Sequence, residues 1–134
     1  MKFKAVFLDK DGSIIPTNTT DNNVELNEEV IEGLQLLQSN GYLLVIVSNN
    51  QQNKDEEPIK GLCSKIGIYL DGYYTPQKMK MAAGDMDIDL SSSWMIGDIP
   101  NDIEEGKNAG CKTILINQAR EFANAAKQIL EVKN

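Results

Sequence analysis

The most constraining feature of the chain is an alternation. Short apolar runs exchange, along the whole length, with segments whose apolar residues recur at helical spacing. The runs are KAVFLD (4–9), YLLVIVS (42–48), the weaker GYY (72–74), SWMIGD (93–98) and KTILIN (112–117). The first, second and fifth are nearly continuously apolar, as expected of parallel strands covered on both faces. Each helical segment carries its own signals. Asn27 caps a helix with Glu28 and Glu29 in its first turn, a stripe of Val30, Ile31, Leu34 and Leu37, and a stop at Gly41. Asp55 opens the next, with Pro58 in the first turn and a stripe of Ile59, Leu62, Cys63 and Ile66. Thr75 and Pro76 read as cap and first-turn proline ahead of Met79, Ala82, Ala83 and Met86. Pro100 starts a short helix that Gly110 ends, and Phe122, Ala125, Ala126, Ile129 and Leu130 form a closing stripe. Strand and helix alternating in this way predict βαβ units and a doubly wound α/β sheet.

At 134 residues the chain predicts one domain, 1–134, with a real core. Its composition, 41% hydrophobic and 25% charged, is that of a soluble globular protein. The net charge of −7 makes it a poor match for nucleic-acid backbones or anionic lipid, so neither is expected as a partner. With no histidine, Ser-His-Asp and Cys-His catalysis and histidine-liganded metals are excluded. Cys63 and Cys111 make neither a four-ligand zinc site nor a disulfide framework. The apolar run after Lys4 is too short for a signal peptide or membrane span, and a cytoplasmic location is expected.

In doubly wound sheets, ligands bind beyond the carboxyl ends of the strands, near the switch in strand order. The residues there are Asp9-Lys10-Asp11, Ser48-Asn49-Asn50, Thr75 to Lys80, and Gly97-Asp98 with Asp102. Asp9 and Asp11 share a face in an extended segment, where like charges penalise each other. A turn explains Gly12, but not two acids directly after AVFL. A divalent cation would convert the repelling carboxylates into ligands. Magnesium favours oxygen donors and keeps waters that a phosphate can replace.

The remaining candidates each admit two readings. Asp98 and Asp102 either serve the N-terminus of a helix starting near Pro100, or converge with Asp9 and Asp11 if the first and fourth strands are neighbours. Ser48 is a cap or, with the backbone N–H groups that follow from Asn49, a holder of phosphate oxygens. Lys78 and Lys80 are either solvated or anion partners. For Lys78, a place in a helix's first turn is unfavourable unless a phosphate lies opposite.

In this order, FLDKDGSII, VIVSNN, a lysine before a helix, and WMIGDIPNDIEEGKNAG resemble the four motifs of the haloacid dehalogenase superfamily of phosphohydrolases, over roughly residues 3 to 117. The texture is most similar to the capless branch of histidinol-phosphate and heptose-bisphosphate phosphatases, whose first motif also runs Asp-basic-Asp-Gly. The resemblance implies a Rossmann-like parallel sheet of five strands with helices on both faces and no cap domain. It implies Asp9 as nucleophile, Asp11 as general acid/base, Ser48 and Asn49 with Lys78 around the phosphoryl group, and magnesium on Asp9, Asp11 and Asp98. Gly97 and Asp102 would support that site. The implied substrate is a small phosphomonoester, such as a sugar phosphate, hydrolysed through an aspartyl-phosphate.

The chain departs from that branch at Ser13 and Asn50, lacks an Arg-Lys-Pro in the third motif, and lacks the branch's cysteine-rich loop, which leaves the substrate open and makes Lys80 a second candidate for the third-motif lysine. About fifteen residues separate Asp11 from the first helix, room for a flap over 14–26 but not for a cap domain. The site is therefore expected to be open unless a second subunit of a homo-oligomer covers it. Two alternatives carry a phosphoryl group without turning it over: a receiver-like signalling domain and a non-catalytic phosphate-binding relative. A receiver would place its phosphoacceptor after the third strand, where this chain has Tyr74-Thr75.

Overall fold

The chain runs β1 (Lys4–Asp9), α1 (Glu28–Ser39), β2 (Tyr42–Val47), α2 (Glu56–Lys65), β3 (Gly72–Tyr74), α3 (Met79–Met86), β4 (Trp94–Gly97), α4 (Pro100–Ala109), β5 (Lys112–Leu115) and α5 (Phe122–Glu131), with a 3-10 turn at Leu90–Ser92. The computed structural model describes residues 2–9, 27–48, 56–75, 78–118 and 121–131. The strands form one parallel sheet in the order β3-β2-β1-β4-β5. The chain winds outward from β1 to one edge and then returns to the other side of β1, so the crossover direction reverses between β1 and β4.

Successive strand residues face opposite sides of the sheet, and the core divides accordingly. Val6, Leu8, Leu44, Ile46 and Ile96 pack with Leu34 and Leu37 of α1 and with Phe122 and Ile129 of α5. Ala5, Phe7, Val45, Val47 and Met95 face Met79 and Ala82 of α3. The expectation of helices on both faces is met. Among the described residues there is no cap domain, and no helix is long and apolar enough to cross a membrane.

Three local expectations are corrected. The first concerns α3, which starts at Met79 rather than beside Thr75-Pro76. Lys78 donates its N–H to the Thr75 carbonyl at 2.9 Å, and Lys78 is the N-cap rather than a first-turn residue. Burial of Met79 and Ala82 sets where the helix begins. The second concerns α2, whose last helical residue is Lys65, so Ile66 falls in a turn and is exposed. Gly67 (φ +80°) donates to Ser64 O, and Ile68 donates to Cys63 O at 2.8 Å. This is a Schellman ending in which Ile68 takes the buried place. The third is that β2, β4 and β5 end at Val47, Gly97 and Leu115, short of the predicted 48, 98 and 117. Asn27 is the N-cap of α1 as expected, although its side chain makes no capping bond. Asp55 and Pro76, and the side chains of Ile59 and Leu62, lie outside the described residues.

Candidate active site

Register brings the strand ends together. Leu8 is paired with Ile96 across β1 and β4, which sets Asp9 level with Gly97 and one step short of Asp98. On the other side Asp9 pairs with Val47, so Ser48 lies one step beyond. Ser48 is 2% exposed, and its N–H donates to the Tyr74 carbonyl at 3.0 Å, tying the end of β2 to the end of β3. The weak GYY segment gave no sign of this support.

Asp102 reaches the same point from α4. Pro100 is the first helical residue, as expected of a proline whose missing N–H costs nothing there. The Ile99 carbonyl accepts the Asp102 N–H at 3.0 Å and closes the first turn. The Asp102 carboxylate then folds back. It accepts the Asp98 N–H at 3.3 Å, and the Ile99 backbone also hydrogen-bonds to it. The fold-back crosses the space above Gly97, where a β-carbon would lie 2.8 Å from Asp102 Oδ2. Glycine is therefore required by close approach and not by backbone angle. Both readings of Asp102 hold: it serves the helix N-terminus and also joins the acid cluster.

That cluster comprises Asp9, Asp98 and Asp102, each with a carboxylate oxygen within 4.8 Å of the others. Asp9 is 9% exposed and Asp102 3% exposed. Burial first, then a hydrogen bond to Asp98 and the nearby Asp102 charge, push the Asp9 carboxyl up to about 10. Burial also raises Asp102, opposed by the hydrogen bonds that it accepts. Without a cation, then, Asp9 keeps a proton and donates it to its neighbours. A divalent cation reverses the sign by favouring the ionised form of every ligand. A set of carboxylate oxygens, two of its three residues buried and none offering nitrogen or sulfur, suits a hard ion such as magnesium.

Of the other predicted residues, Asp11 and Asn49 lie outside the described residues. Lys78 and Lys80 are exposed at the start of α3, and among the described residues neither is in ion-pair contact with the three carboxylates.

A HAD-hydrolase-like family model matches residues 74–129. A D-glycero-beta-D-manno-heptose-1,7-bisphosphate 7-phosphatase of Haemophilus ducreyi is 31% identical, over 82% of this chain and 80% of that protein. A phosphoglycolate phosphatase of Neisseria gonorrhoeae is 35% identical over 64% of this chain, which spans only 40% of that longer relative. Among solved structures, the D,D-heptose 1,7-bisphosphate phosphatase of B. bronchiseptica, complexed with magnesium and phosphate, has the same fold, with a TM-score of 0.79 and 15% identity over 96% of this chain and 98% of that one.

Proposed function

The chain belongs to the haloacid dehalogenase-like hydrolases and is a phosphoric monoester hydrolase; on that premise we propose that it hydrolyses a small phosphomonoester, with magnesium, through an aspartyl-phosphate on Asp9. The observation that carries this reading is the convergence of Asp9, Asp98 and Asp102 at the switch point of the sheet. Asp9 and Asp98, with Asp11, would hold the ion, and Asp102 would hold Asp98 in place. A bound magnesium supplies charge neutralisation to the phosphoryl oxygens and keeps Asp9 ionised.

The chain's own residues divide the chemistry. An Asp9 carboxylate oxygen attacks phosphorus in line while the bond from phosphorus to the leaving oxygen breaks. Asp11 gives that oxygen its proton and leaves as carboxylate. It then takes a proton from water, whose oxygen attacks phosphorus, releasing phosphate and restoring Asp9. Ser48 and the Asn49 N–H are assigned to the phosphoryl oxygens, with Lys78 opposite them.

A sugar phosphate or similarly polar metabolite is the proposed substrate class. The names of the heptose-bisphosphate relatives support it, as does a net charge of −7 that disfavours phosphate-rich polymers. The receiver alternative fails on topology, since that fold sets β3 beside β1 whereas here β4 stands there. The decisive experiment is phosphate release from a panel of phosphorylated metabolites, with magnesium and then with chelator. Multiple turnovers that stop on chelation are expected; a single turnover, or indifference to chelation, would overturn the reading.

A further inference from the structure

Ile99 breaks two local rules at once. It is the N-cap of α4, with extended backbone (φ −130°, ψ 153°) and no side-chain capping bond. Ser, Thr, Asp or Asn is the residue usually found at that position. It is also a large aliphatic side chain left 45% exposed. Local rules are broken preferentially where function requires it, and Ile99 directly follows Asp98.

A second exposed aliphatic residue ends the neighbouring strand. Leu115, 50% exposed, ends β5 and is paired in register with Gly97. It shares a sheet face with Thr113, whose methyl lies against Gly106 of α4. Leu115 therefore emerges on the α4 side of the carboxyl edge, beside Gly97, and Ile99 stands at the start of α4, beside Asp98.

Resting on the phosphatase reading above, we propose that Ile99 is a specificity-determining residue: its side chain, with Leu115, forms an apolar rim that packs against the carbon face of the substrate's leaving group. The ligand class is a phosphomonoester whose leaving group presents a flat carbon surface, an aryl ring or the C–H face of a sugar. Position argues for substrate as the occupant, because Ile99 is one residue from a proposed ligand of the ion that orients the phosphoryl group. A polar residue at that position would offer that face nothing.

The test compares two ground-state probes that share a phosphate-like head, inorganic phosphate and phenylphosphonate, binding to the wild type and to Ile99→Val, Ile99→Ala and Ile99→Ser in magnesium. Calorimetry gives the affinities, thermal melting the stability and sedimentation the association state. Phosphate affinity is expected to stay constant, while the preference for phenylphosphonate falls about twofold in Ile99→Val and about threefold to tenfold in Ile99→Ala and Ile99→Ser. Unchanged preference alongside intact phosphate binding overturns the assignment, as does a change in association state in place of a change in preference. Failure of the wild type to bind either probe would instead sink the phosphatase reading itself.

Discussion

Asp102 occupies the space that a side chain on Gly97 would need, so the corner from β4 to α4 and the acid cluster are a single piece of packing. Gly97→Ala should push the carboxylate away from the Asp98 N–H and loosen Asp98. We expect a rise in the magnesium concentration required, a loss of about tenfold to a hundredfold in kcat/KM, and about 1–3 kcal/mol of destabilisation. Magnesium titration of activity and urea unfolding measure the two effects. A variant with a wild-type magnesium titration would show that the corner does not position the ligand.

The acid cluster makes the metal-free protein sensitive to pH in a defined direction. The Asp9 carboxyl stands at about 10 in the folded chain against an ordinary 3.8. The native state therefore keeps a proton that the unfolded chain releases, so stability is full below the lower value and is lost as pH rises toward the upper one. Asp102 is raised as well and adds in the same direction. In chelator, melting temperature should fall across this window. Asp9→Asn should flatten the slope and, at pH 8, stabilise by on the order of 1–3 kcal/mol, while turnover drops about a thousandfold or more. Substantial residual activity in Asp9→Asn would refute the covalent route.

Lys78 caps α3 and is tied by its N–H to Thr75, just past the end of β3, whereas Lys80 lies within the helix. Lys78→Ala should therefore cost more activity than Lys80→Ala, about tenfold to a hundredfold in kcat/KM against a few-fold. Steady-state kinetics of the two variants decide the order. The opposite ranking would make Lys80 the third-motif lysine.

Two helical glycines should respond to alanine with opposite signs. A β-carbon on Gly33 would meet Phe122 Cε1 at 2.7 Å, where α5 docks on α1, whereas Gly84 in α3 has open space around it. Alanine is the better helix former by roughly 0.5–1 kcal/mol, and at Gly84 nothing opposes that gain. At Gly33 the overlap outweighs it, for a net loss of about 1–3 kcal/mol. Both variants should keep wild-type catalysis, so melting curves alone separate them.

Legibility followed burial. Ala5 to Leu8 and Leu44 to Val47 are buried throughout, so their apolar runs could be read directly as central strands. The stripe of α5 was equally plain, with Phe122, Ala125, Ala126 and Ile129 all inside. The start of α3 was not, because the local signal at Thr75-Pro76 yields to the burial of Met79 and Ala82 against the sheet. Nor could residue type choose between the two roles of Asp102. That choice depends on β1 and β4 lying side by side, a non-local fact. The close approach that demands Gly97 is visible only once α4 folds back over the end of β4. Asp11 and Asn49 rest on the sequence motifs alone.

The Ala5 N–H donates to the buried Ser93 hydroxyl at 3.0 Å, joining positions 88 apart in sequence. That hydroxyl in turn donates to the Asp89 carbonyl at 2.7 Å, fixing the approach to β4. That closure costs more chain entropy than the one that pairs β1 with β2, so β1 is expected to pair with β2 before β4 arrives. The carboxylates of Asp9 and Asp98 are then expected to meet late in folding, and a nascent chain that ends before β4 lacks Asp98 and Asp102 of the acid cluster. A divalent ion that binds only the finished form would pull the last docking step forward by mass action. Refolding followed with and without magnesium should then differ in its slowest phase and share its early ones.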